Sequence, residues 1–218
     1  MEKSRSDIES VRILISLFVQ KGIKEVVLSP GSRNAPLLVS VAREKRLKHH
    51  IIVDERSAAF FALGIAQQTG QTVALICTSG TPAVAEAYYQ GIPLLVISAD
   101  RPSEWIDQDD SQTIQQQGAL CNFVKKSFQL PTAITCNEDR WHTNRLVNEA
   151  INLSQHGRKG PVHINVPLRE PLYGFQHESI TSERVIKTLK ESPSLTAEIS
   201  QNLREEFFLC PKVMIIAG

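Results

Sequence analysis

The sequence predicts an α/β protein: an open parallel sheet flanked by helices, followed by the start of a second α/β domain. Three observations carry that prediction. Short apolar runs alternate four times with segments of helical periodicity, and the connections are brief. Each run ends in a small, polar loop, as strands of a parallel sheet do at their carboxyl edge. The 218 residues suffice for one good core and the opening of another.

The elements follow in order. Ser6-Asp7-Ile8-Glu9 has the form of a capping box, and Ile8, Val11, Leu14, Ile15 and Phe18 follow at helical spacing. Gly22 would close that helix. Glu25 to Ser29 is a strand, Ser29 to Asn34 a turn, and Pro36 suits the first turn of a helix running to about Leu47. His49 to Asp54 is the second strand and Ser57 to Thr69 the second helix. Thr72 to Thr78 is the third strand, ended by Ser79-Gly80-Thr81, with a helix over Pro82 to Gln90 and Gly91 at its end. Leu94 to Ser98 is the fourth strand, ended by Ala99-Asp100-Arg101-Pro102. Glu138 to His156 reads as a long helix, Gly160-Pro161 breaks it, and Val162 to Val166 supplies another strand. This first domain covers residues 1–174, a polar, aperiodic linker covers 175–194, and residues 195–218 open a second domain. There, Leu195 to Phe208 is helical and Lys212 to Gly218 is a strand entering a glycine turn, so the chain reads as a fragment.

Composition narrows the function. Hydrophobic residues are 42% and charged residues 22%, an ordinary soluble balance. A net charge of +1 gives no reason to expect nucleic acid or an acidic membrane surface as partner. Cys77, Cys121, Cys136 and Cys210 form no C-x-x-C pair, which suits a reducing cytoplasm. No apolar run approaches the roughly 20 residues of a membrane helix, and the amino terminus has no signal-peptide core.

Four loops carry chemistry-bearing side chains at one sheet edge: Ser32 and Arg33, then Glu55, then Thr78 to Thr81, then Asp100 and Arg101. Each also has a plainer reading. Glu55 could pair with Arg56 or Arg33, Asp100 with Arg101, and both Ser-Pro-Gly-Ser and Thr-Ser-Gly-Thr are ordinary turns. Together the four make a binding site, with Glu55 its most informative member because a small, apolar helix follows it. His49 and His50 begin a strand, point to opposite faces and cannot chelate one metal. There is no G-x-G-x-x-G, no G-x-x-x-x-G-K-[ST] and no G-x-S-x-G. Gln112 to Gln117 reads as a solvated helix face.

Ser-Pro-Gly-Ser-Arg-Asn-Ala-Pro (29–36), Asp-Glu-Arg-Ser-Ala-Ala-Phe (54–60), Thr-Ser-Gly-Thr (78–81) and Ser-Ala-Asp-Arg-Pro (98–102) occur in that order. The set resembles the N-terminal pyrimidine-binding domain of thiamin-diphosphate enzymes, in particular the menaquinone-pathway synthases. The likeness runs from Ser6 to Tyr173. It implies that Glu55 hydrogen-bonds N1′ of the cofactor's aminopyrimidine and performs acid–base work through it. It implies Thr78, Ser79 and Gly80 beside the cofactor, and Ser32, Arg33, Arg101 and Gln112 on substrate, the two arginines clamping carboxylates. The substrates it implies are 2-oxoglutarate and isochorismate, and the assembly a homodimer or homotetramer. It implies Mg2+ or Mn2+ on the diphosphate, held by a domain whose G-D-G…N motif is absent from these residues, so no metal ligands are expected here and the fragment alone should be inactive. Related enzymes also carry a further short stretch after Thr81 that this sequence lacks. Two other readings stay open: an acetohydroxyacid-synthase-like or decarboxylase enzyme, against which the charge of the Arg33 loop argues, and a non-catalytic oligomerisation module.

Overall fold

The computed structural model describes residues 5–78, 82–111, 113–176, 181–189 and 194–214. It forms two compact units, Met1–Thr188 and Leu189–Gly218.

In the first unit β2 (Glu25–Leu28), β3 (Lys48–Ile51), β4 (Val73–Cys77), β5 (Leu94–Asp100), β6 (Ser127–Gln129) and β7 (Val162–Pro167) make one sheet. Its order is β3-β2-β4-β5-β7-β6, and every pairing is parallel. A two-stranded antiparallel ribbon pairs β1 (Arg5–Ser6) with β8 (Phe175–Gln176).

Period-two alternation divides the sheet between two cores. Val26, Leu28, Ala74, Ile76, Leu95 and Ile97 pack with the apolar faces of α1 (Glu9–Gln20), α2 (Ala35–Ala42) and α5 (Asn137–Gln155). Val27, Leu75, Cys77, Leu94 and Val96 pack with α3 (Glu55–Thr69) and α4 (Ala83–Gln90). The buried side of α3 is Ala58, Ala59, Ala62 and Ala66 with Leu63, so most of its contact with the sheet is made by small side chains. Helix α1 buries Ile13, Leu14, Leu17 and Phe18 completely. At about 1.5–3 kcal/mol for each such side chain, it is the main anchor of its layer.

Several elements depart from the sequence reading. No capping box forms: Ser6 lies in β1, its hydroxyl accepts from the Ile8 N–H at 3.2 Å, and Glu9 pairs with Arg140 instead. Helix α2 stops at Ala42 rather than Leu47 because Glu44, buried, is clasped by Arg46 Nε at 2.8 Å and its turn ends the helix. Strand β5 runs on to Asp100 because β7 pairs with it through Pro167. Strand β6, three residues long, is an element the sequence did not announce. The glutamine-rich run expected as a solvated helix face is not helical from Thr113 to Gln117, and Gln116 is buried there.

Residues 181–186, within the stretch read as linker, are tied to α1 and α5. Asn148 donates to the Arg184 carbonyl at 2.9 Å and accepts from the Ile186 N–H at 2.8 Å. Lys21 Nζ donates to the Ile186 carbonyl at 2.8 Å, and burial lowers its pKa.

The second unit contains α6 (Ala197–Leu209), capped by Thr196, whose hydroxyl accepts from the Ile199 N–H at 3.3 Å. Lys212–Met214 are not in a strand, and residues 215–218, expected to continue it, lie outside the described residues.

Candidate functional site

Strand β2 is flanked by β3, which follows it, and by β4, which follows β3. The order of connection therefore reverses across the sheet between β2 and β4, and the carboxyl ends at such a switch point are where open α/β sheets bind ligands. Three loops meet there. The Ser29 N–H donates to the Ile76 carbonyl at 2.9 Å, and its hydroxyl donates to the Val53 carbonyl at 3.0 Å. Gly31 sits against β4 so closely that a Cβ there would lie 2.8 Å from Thr78 Cγ2.

Asn34 locks the first loop from within. It is fully buried; its amide donates to the Ser29 carbonyl at 2.8 Å, and its oxygen accepts from the Gly31 N–H at 3.0 Å. Asn34→Ala orphans both backbone groups and is expected to cost about 2–4 kcal/mol. The check is the urea midpoint of the variant; an unchanged midpoint would show that the loop holds without Asn34.

Glu55 opens α3. Asp54 is the N-cap, accepting from the Ser57 N–H at 2.9 Å and pairing with Arg56 at 2.7 Å. The Arg56 hydrogen bond and the Ser57 N–H hold the Asp54 carboxyl below the usual carboxylate range. Asp54 thus takes the arginine that could have engaged Glu55. Arg33 is taken as well: it donates to the Leu168 carbonyl at 3.4 Å and pairs with Glu170 at 3.3 Å. Glu55 is half-buried, and its Oε1 accepts from the Thr78 hydroxyl at 3.1 Å. Among the described residues Oε2 has no hydrogen-bond partner. One oxygen held and the other without a partner among the described residues is an arrangement that can bond a ring nitrogen.

The arginines come from neighbouring loops. Arg33 is 11% exposed and Arg101 21%. Arg101 does not pair with Asp100; its Nε lies 2.7 Å from Asp110 and donates to the Ser111 carbonyl at 3.2 Å. The Leu168 N–H donates to the Asp100 carbonyl at 2.9 Å, so the loops after β2, β5 and β7 share Leu168. Partly buried guanidinium groups of this kind suit bidentate carboxylates. Ser32 is exposed beside Arg33. Ser79, Gly80 and Gln112 lie outside the described residues.

The expectations thus fall into two groups: Glu55 with Thr78, and Arg33 and Arg101 with the β5 and β7 loops. Reading the sequence missed Glu170, Gln116 and Asn165. Only their position near the ends of β5 and β7 could have signalled them.

The described residues contain no cluster of three or more His, Cys, Asp or Glu side chains able to hold a metal ion. The Glu55–Thr78 pair fits the pyrimidine end of thiamin diphosphate: a carboxylate with one oxygen held by a hydroxyl and the other without a partner among the described residues.

Residues 9–120 match the family described as thiamine pyrophosphate enzyme, N-terminal TPP binding domain. A 2-succinyl-5-enolpyruvyl-6-hydroxy-3-cyclohexene-1-carboxylate synthase of Porphyromonas gingivalis is 47% identical over 224 residues, covering 100% of this chain and 39% of the relative. The synthase of the same name from Bacteroides fragilis is 50% identical over 187 residues, covering 83% of the chain and 34% of the relative. The chain therefore spans about two fifths of the length of these curated relatives. Among solved structures, the thiamine diphosphate-dependent 4-hydroxybenzoylformate decarboxylase of Rhodococcus jostii superposes with a TM-score of 0.68 at 20% identity. That match covers 91% of this chain and 37% of the decarboxylase, and establishes the fold.

Proposed function

The chain belongs to the thiamine pyrophosphate enzymes, of which it carries the N-terminal TPP-binding domain, and on that premise we propose that its full-length protein is a menaquinone-pathway synthase. The reaction proposed decarboxylates 2-oxoglutarate and joins the remaining four-carbon unit to the ring alkene of isochorismate. Relatives bearing the synthase name at 47% and 50% identity support this reading. The observation that supports it within the chain is Glu55 held by the Thr78 hydroxyl, with two mostly buried arginines on other loops at the carboxyl edge of the same sheet.

Thiamin diphosphate, when bound, supplies the means to stabilise negative charge on the carbon that loses CO2. The chain's own residues do the rest. Glu55 holds or moves a proton at N1′ of the pyrimidine, oriented by the Thr78 hydroxyl and by its place in the first turn of α3. Arg33 and Arg101 receive substrate carboxylates, which would displace Glu170 and Asp110 from them. Ser32 adds an exposed hydroxyl, and Gln112, Ser79 and Gly80 complete the proposed contacts by resemblance. Diphosphate and its Mg2+ or Mn2+ belong to a part of the protein outside this chain.

A homo-oligomer, dimer or tetramer, is part of the same proposal. Its support is a set of apolar side chains just after β3 and on α3 and α4: Val53 at 80% exposure, with Phe60, Phe61 and Tyr89 also exposed. A cytoplasmic location belongs to the same proposal: it fits cysteines that form no C-x-x-C pair, and among the described residues no helix is long and apolar enough to cross a membrane.

The test is turnover of the full-length protein with thiamin diphosphate, Mg2+ and isochorismate, offering 2-oxoglutarate or pyruvate as donor. Consumption of isochorismate with 2-oxoglutarate alone supports the synthase. Turnover with pyruvate alone would move the protein to the acetohydroxyacid branch.

A further inference from the structure

The carboxyl end of β5 carries a buried polar chain that the proposed chemistry leaves unused. Asn165, fully buried on β7, stands at its centre. Its amide donates to Asp100 Oδ2 at 2.7 Å and to Gln129 Oε1 at 2.8 Å, and its oxygen accepts from the Ser98 hydroxyl at 2.7 Å. Two acceptors on one side and a hydroxyl on the other leave only one orientation for the amide. Because the Ser98 hydroxyl spends its proton on Asn165, it accepts from His163 Nε2 at 2.7 Å. His163 Nδ1 then accepts from the Ser127 hydroxyl at 2.8 Å. The run of bonds from β6 through β7 to β5 fixes which face Asn165 offers to Asp100.

Asp100, 2% exposed, uses what it receives to hold the chain beyond β5. Its Oδ1 accepts from the Arg101 N–H at 2.8 Å and from Gln116 Nε2 at 3.4 Å. Gln116 Nε2 also donates to the Ala99 carbonyl at 3.0 Å. Arg101 and Gln116 are the two ends of an excursion that leaves the sheet, and one carboxylate fastens both. Within that excursion Arg101 reaches Asp110 and Ser111, so its guanidinium is set by the shape the fastening imposes.

We propose that Asn165 and Gln116 are positioning residues for Arg101: acting through Asp100, they close the excursion and fix the guanidinium that receives a substrate carboxylate. This rests on the proposed reading of Arg101 as a carboxylate clamp. It assigns no contact with substrate to either residue.

The experiment is a double-mutant cycle in the full-length protein, with KM for 2-oxoglutarate and for isochorismate, kcat, thiamin diphosphate affinity and thermal midpoint read for each variant. The set is Arg101→Ala, Asn165→Ala, Gln116→Met and the two doubles. Gln116→Met keeps length and volume at the less buried end, and remains informative if Asn165→Ala does not fold. The expectation is that each positioning variant raises KM about tenfold for the substrate that Arg101→Ala affects, with cofactor affinity unchanged. Residues in one network give non-additive effects, so the further loss in the Arg101→Ala background should nearly vanish.

Fully additive losses, or equal losses for both substrates and the cofactor, would overturn the positioning role and reduce the network to general stability. If Arg101→Ala leaves both KM values unchanged, the clamp reading fails and the inference with it. A loss in Arg101→Ala that neither Gln116→Met nor Asn165→Ala reproduces overturns the inference alone.

Discussion

Glu55→Gln in the full-length protein is expected to lower kcat by about 10²–10⁴, the range for removing a positioned acid–base group. The substitution keeps the side chain's length and its acceptor oxygen, so the Thr78 hydroxyl, 3.1 Å from Oε1, retains a partner. What it removes is the ability to exchange a proton at the other oxygen. The thermal midpoint should hardly move, because Glu55 is half-buried and the N-cap of α3 is supplied by Asp54. A variant that keeps near-normal turnover would mean that this carboxylate does not work on the cofactor. A variant that loses activity together with its fold would say nothing about protons, so the midpoint must be measured alongside.

The second large effect concerns pH. Burial pushes His163 down from 6.5 to about 4. Between those values the unfolded chain binds a proton that the folded chain refuses, so stability falls as the pH drops. The contribution is fully present above about 6.5 and is lost progressively down to about 4. At about 1.4 kcal/mol per unit, the total is about 3–4 kcal/mol. His163 has no room to accept the proton cheaply: Nε2 already donates to Ser98, and Nδ1 needs the Ser127 hydroxyl to donate to it. Urea unfolding of the chain at pH 7 and pH 4.5, followed by tryptophan fluorescence, checks this. Both tryptophans, Trp105 and Trp141, lie in the first compact unit. Wild type should lose about 2–3 kcal/mol more than His163→Gln over that interval; parallel losses would remove His163 as the source.

The sheet and its flanking helices were legible in the sequence because both signals are local. Strands such as Val73–Cys77 are apolar throughout, being buried on both faces, and Gly91 ends α4 at a φ of +67°. The Glu55 loop was legible for a related reason: a carboxylate between a strand and an alanine-rich helix has few structural uses. Strand β6 was not legible, since Ser127–Gln129 owes its conformation to pairing with β7 rather than to its own three residues. The same holds for the polar cluster behind Arg101. Gln116 in a run of glutamines, and Asn165 within an apolar strand, gain their meaning only when β5 and β7 bring them to Asp100. The capping box failed because two alternatives outcompeted it: ribbon pairing for Ser6 and Arg140 for Glu9. Local pattern thus announced the loops that carry Glu55, Arg33 and Arg101, and tertiary pairing alone supplied the buried polar groups behind Arg101.

The central claim is that Glu55 manages a proton on bound thiamin diphosphate. The measurement that addresses it most directly is the rate at which the thiazolium C2 proton exchanges with deuterated solvent. It is made on the full-length protein with Mg2+ and no substrate, for wild type and Glu55→Gln. The account predicts exchange far faster on the wild-type protein than for free cofactor, and a fall of about 10²–10⁴ in the variant. Equal rates on the two proteins, with equal cofactor occupancy, would contradict it.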